Sequence, residues 1–66
     1  MQVIANGAKV VLDDRARLTD LFDALGVQAK WVVAEINGEA IERADMPGVV
    51  LAEGDRIELV RAVAGG

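Results

Sequence analysis

Sixty-six residues carrying a net charge of −4, with eleven acidic against seven basic side chains and neither cysteine nor histidine, make one small acidic domain. Lacking those two residue types, the chain has no disulfide framework, no thiolate metal site and no imidazole base, and at this size it has little surplus chain from which to build a catalytic cleft. No Lys/Arg cluster is present to neutralise a row of phosphates, and no apolar run approaches the ~18 residues of a spanning helix, which disfavours nucleic acid and membrane and favours partners with basic surfaces.

The amino-terminus lacks the basic-then-apolar layout of a signal peptide, so the expected location is cytoplasmic. Met1 to Ala5 is short, apolar and rich in β-formers, and Asn6-Gly7 suits the positive backbone angles of a tight hairpin turn, with Lys9 to Leu12 returning as the second strand. Asp13-Asp14-Arg15 is a charged break that reads as solvated surface, not as a metal pair. Leu18, Leu21, Phe22 and Leu25 then fall at i, i+3, i+4 and i+7, which makes one helical face apolar and core-facing, with Asp20 and Asp23 opposite. Gly26 stands where a helix commonly ends in the left-handed conformation, whereas no Ser/Thr/Asp cap with a matching Glu marks its start.

Trp31 to Ile36 is β-branched enough for a strand, with Val32, Ala34 and Ile36 on one face by the two-residue period. Asn37-Gly38 signals a second turn, Glu39 to Ile41 a short strand, Pro47-Gly48 a break, and Val49 to Leu51 a brief extended segment. Glu53-Gly54-Asp55 turns the chain again, and Arg56 to Val60 closes the pattern with Ile57 and Leu59 on one face and Arg56 and Glu58 on the other. Hairpin, helix and further strands predict an α+β fold in which one helix packs across one face of a mixed sheet of four to five strands. The first and last strands are both apolar and are expected to pair in parallel, which is the β-grasp, or ubiquitin-like, layout.

The expected domain spans residues 1–66, with 62–66 as a flexible tail ending in Gly65-Gly66. Glycine has no β-carbon and accepts backbone angles closed to other residues, so the pair can thread a narrow channel and present an unhindered carboxylate. A frayed terminus or cloning scar is the plainer reading of two glycines. A compact domain whose final strand runs straight into them reverses those odds. Because one helix covers only one sheet face, some of Val60, Ala62, Val63 and Ala64 should face water, either as scattered surface apolarity or as a docking strip for partners. Arg61 beside them could pair with a partner carboxylate.

Asn6-Gly7, Leu18-Thr19-Asp20-Leu21-Phe22, Asn37-Gly38-Glu39-Ala40-Ile41-Glu42-Arg43, Glu53-Gly54-Asp55 and Val63-Ala64-Gly65-Gly66 together resemble the sulfur carrier proteins of thiamine biosynthesis, the ThiS family, over essentially the whole chain. Glu42 stands where the family often has Pro, and Met46 where it often has Trp, so altered packing is expected after the fourth strand. The resemblance implies that the Gly66 carboxylate is adenylated with ATP and Mg²⁺ by a ThiF-like adenylyltransferase, with Gly65 keeping the tail unhindered. A persulfide donor then converts it to a thiocarboxylate that delivers sulfur to a ThiG-like thiazole synthase. The chain would be a protein cosubstrate, not an enzyme, and would bind no cofactor or metal itself, with Val60, Arg61, Ala62, Val63 and Ala64 meeting its partners. Three alternatives remain open: the small subunit of molybdopterin synthase, a ubiquitin-like modifier joined to lysines, and a non-covalent β-grasp module.

Overall fold

The two Asn-Gly pairs shape the sheet. In the computed structural model, which describes residues 1–62, Asn6-Gly7 joins β1 (Gln2–Ala5) to β2 (Ala8–Val11), and Asn37-Gly38 joins β3 (Val32–Ile36) to β4 (Glu39–Ile41). Their φ values are 48° and 83° at the first pair and 52° and 85° at the second. Positive φ at both central residues gives the turn whose twist matches that of the flanking strands, and Asn followed by Gly is the least strained way to make it.

Between the hairpins lies α1 (Leu18–Leu25), and after them β5 (Arg56–Arg61) enters the middle of the sheet, giving the strand order β2-β1-β5-β3-β4. β5 runs parallel to β1 and antiparallel to β3, with Ala5 beside Ile57 and Ala34 beside Leu59. The mixed sheet with one α-helix on one face is the β-grasp fold. Val3, Ala5, Val32, Ala34 and Ile57 project from the strands to meet Leu18, Leu21 and Phe22 of the helix, and this shared interior is the core among the described residues.

Two local features differ from the sequence-based expectation. Leu25 is 41% exposed in the last turn of α1, although it stands only about 20° round the helix from the fully buried Leu18. Residues 49–51 are extended as expected, and Val50 makes an isolated antiparallel bridge with Arg17, so this segment is tied to the start of the helix. Trp31 closes a 3₁₀ turn, Ala29–Trp31, and the strand begins one residue later.

The segment in which Glu42 and Met46 depart from the family pattern is a 3₁₀ stretch, Arg43–Gly48, whose Met46 is buried in the core with Leu51. A flexible thioether adapts readily to such a position. The helix start also has a physical cause: the Asp20 carboxylate accepts the Arg17 backbone N–H at 2.8 Å, placing an acid against the positive end of the helix. At the other end Gly26 has φ 70°, and its N–H bonds the Asp23 carbonyl at 3.2 Å. A β-carbon there would touch nothing within 4 Å, so Gly26→Ala tests backbone strain alone. Urea denaturation is expected to show a loss of about 1–2 kcal/mol, whereas an unchanged midpoint would mean that α1 can end in another way.

Candidate functional site

β5 carries the core to the carboxy-terminus, and its alternation decides which side chains remain outside. Ile57 is buried and Leu59 half-buried against the helix side, which leaves Arg56, Glu58 and Val60 on the opposite, uncovered face. The register with β3 sets Val60 beside Val33 and Glu58 beside Glu35 on that face, with Ala40 of β4 next to Glu35. Val60 is 62% exposed and Val33 47%, so the two form an apolar pair in contact with water. Like charges directly opposite across strands repel, which makes Glu35 and Glu58 a locally unfavourable pair that a cation from elsewhere would relieve.

The end of the strand is held as well. The Ala62 N–H donates to the Trp31 carbonyl at 2.7 Å, one rung beyond the Val32–Arg61 pair. Trp31 is 48% exposed there, and the Lys30 ammonium sits 5.3 Å from its ring centroid, within cation–π range. An open groove of about 520 Å³ beside this point is lined by Val27, Trp31, Val32, Arg61 and Ala62.

Of the residues expected to meet partners, Val60 and Arg61 are exposed and Ala62, the last described residue, is half-buried. Val63, Ala64, Gly65 and Gly66 lie outside the described residues. Val33, Glu35, Glu58 and Trp31 were not among the expected contact residues, although Val33 and Glu35 alternate with Val32, Ala34 and Ile36 and so had to share the outer face. Asp14 is a surface residue whose carboxylate accepts from the amino-terminal ammonium at 3.4 Å, and among the described residues no three acidic side chains converge as a metal site.

The hairpin asparagines, read from sequence only as turn formers, both reach β5. Asn6 Oδ1 accepts the Leu59 N–H at 2.8 Å and its Nδ2 donates to the Leu59 carbonyl at 3.2 Å. Asn37 Oδ1 accepts the Arg56 N–H at 3.0 Å and its Nδ2 donates to Asp55 Oδ1 at 3.0 Å. No periodicity signals these bonds, since they depend on a strand more than fifteen positions away.

Known proteins share this fold. The crystal structure of the thiamine biosynthesis protein ThiS from Geobacter metallireducens is 33% identical and superposes with a TM-score of 0.82, each chain covered completely. The solution structure of a thiamine biosynthesis protein from the same organism gives a TM-score of 0.74 at 33% identity, over 100% of this chain and 88% of that one. No curated protein matches the chain. The model of the ThiS family matches residues 2–66, through the terminal diglycine, and with that extent of agreement the chain belongs to the ThiS family.

Proposed function

We propose that this protein is a sulfur carrier for formation of the thiamine thiazole, and that its reacting group is the Gly66 carboxylate. The observation that carries the reading is the family match over residues 2–66, which includes the diglycine, on a domain whose central strand ends at Arg61. A carboxylate is a poor acyl donor. A ThiF-like adenylyltransferase, holding ATP and Mg²⁺, would let a Gly66 oxygen attack the α-phosphorus, expelling pyrophosphate and leaving an acyl-adenylate. A persulfide sulfur then attacks the acyl carbon, AMP departs, and a second thiol cleaves the resulting S–S bond to leave the thiocarboxylate. Thiazole synthase receives the sulfur from there, so sulfide is never released freely.

The partner surface in this reading is the uncovered sheet face around Val33 and Val60, flanked by Glu35 and Glu58, together with Arg61 and Ala62. An apolar centre with an acidic flank fits an enzyme surface that offers an apolar patch edged by Lys or Arg. Val60→Asp is expected to keep the fold, because Val60 lies outside the core. It should lower kcat/KM for adenylation about tenfold, the scale of a moderate interface contact. Steady-state pyrophosphate release with the cognate adenylyltransferase checks this, and an unchanged kcat/KM would remove the sheet face from the docking surface. The proposal as a whole is tested by intact-mass spectrometry after incubation with that enzyme, ATP and a persulfide donor, where an oxygen-to-sulfur mass increase is expected and an unaltered mass would overturn it.

A further inference from the structure

We infer that Asn6 is a positioning residue for the reacting tail: by bonding both backbone groups of Leu59, it fixes the path along which β5 leaves the sheet. The inference rests on the carrier reading above. β1 stops pairing with β5 at Ala5 and Ile57, because Asn6-Gly7 turns the chain back into β2. β5 nevertheless continues to Arg61, and beyond Ile57 only β3 accompanies it as a strand.

The hydrogen-bond parity shows what is missing on the other side. Asn37 N–H donates to the Arg56 carbonyl and Ala62 N–H to the Trp31 carbonyl, so even-numbered positions of this segment bond towards β3. The Ile57 carbonyl accepts from Asn6 N–H, so odd-numbered positions face β1. Leu59 is the first odd position past the end of β1, and there the Asn6 side chain supplies the acceptor at 2.8 Å and the donor at 3.2 Å that a further β1 residue would have supplied from its backbone. Arg61 is the next odd position, and the chain passes from it through Ala62 to the carboxy-terminal residues. Without the clamp, residues 58–61 are held along one edge only. A strand secured on one side opens locally at lower free energy, and a reacting group displaced by as little as an ångström reacts far more slowly.

Asn37 is a natural control. It occupies the same turn position with a φ of 52° and also makes two side-chain hydrogen bonds, but at the start of β5, far along the strand from the tail. Asn6→Gly and Asn37→Gly both keep a turn that accepts positive φ. The two variants should lose similar stability, while the Leu59 amide exchanges faster in Asn6→Gly alone. With the cognate adenylyltransferase and ATP, kcat/KM is expected to fall about tenfold for Asn6→Gly and less than about twofold for Asn37→Gly. Asn6→Asp, which retains the acceptor for Leu59 N–H but not the donor, should fall between; it replaces Asn6→Gly in the comparison should that variant not fold. Adenylation of the wild-type chain together with equal kcat/KM for the Asn6 and Asn37 variants would overturn the positioning role and leave the carrier reading standing. Failure of the wild-type chain to be adenylated overturns both.

Discussion

A chain ending at Gly65 is expected to fold as the full chain does and to accept no sulfur. Among the described residues the buried core runs from Val3 to Ile57, and thermal unfolding of the shortened chain is expected to match that of the full chain. Its terminal carboxylate, however, sits one residue short, a retreat of about 3.5 Å along an extended chain. Since misplacement of about 1 Å can cost on the order of a hundredfold in rate, adenylation should fall below detection. Glycine remains the last residue in the clipped chain, so chemistry at the carboxylate itself is unaltered and reach alone is tested. Intact-mass spectrometry after incubation with enzyme, ATP and persulfide donor provides the comparison, with unfolding followed by circular dichroism. Sulfur loading of the shortened chain at a rate near that of the full chain would mean that the terminus is not what the enzyme reads.

Replacing Ile57 with Ala should have the opposite profile, leaving the tail intact and removing the scaffold. Ile57 is fully buried at the centre of the sheet, between Ala5 on β1 and Ile36 on β3. Truncating such a side chain typically costs about 2–5 kcal/mol, from lost burial and from the cavity left behind. At roughly 0.05–0.15 kcal/mol per residue, 66 residues provide about 3–10 kcal/mol in total. The substitution therefore removes a large share of the stability, and a sizeable fraction of the variant should be unfolded at physiological temperature. Urea denaturation at low temperature measures the loss, and a cost below about 0.5 kcal/mol would show that β5 is not the centre of the core. Sulfur loading should track the folded fraction in this variant, which separates it from the chain lacking Gly66.

Much of this architecture is legible in the residues themselves. The Asn-Gly pairs, the 3.6-residue stripe of Leu18, Leu21 and Phe22, and the alternation around Ile57 each encode a local choice that the fold keeps, and together they leave a single helix to cover a single sheet. Leu25 escaped because a stripe gives the direction of a side chain but not what lies beneath it. The extended character of residues 49–51 was legible, whereas its bridge partner Arg17 was not, because a short apolar run does not name what it pairs with. The proposed docking surface was half legible: Val60 and Arg61 follow from their place near the end of the sequence, whereas Val33, Glu35 and Glu58 come together only through the register between β3 and β5. The reach of Asn6 to Leu59 was hidden altogether, since it is a bond between a turn and a distant strand. A turn signal explains such a residue so well that nothing in the sequence asks for a second role.

In the proposed reaction the reactive atom is the main-chain acyl carbon of Gly66, which follows the end of the sheet's middle strand at Arg61 by a few residues. Top-down fragmentation of the protein after incubation with the cognate adenylyltransferase, ATP and a persulfide donor locates the change directly. An oxygen-to-sulfur mass increase is expected, confined to fragments that contain Gly66 and absent from every fragment that ends before it. A modification on any internal side chain, or none on the terminal fragment, would contradict it.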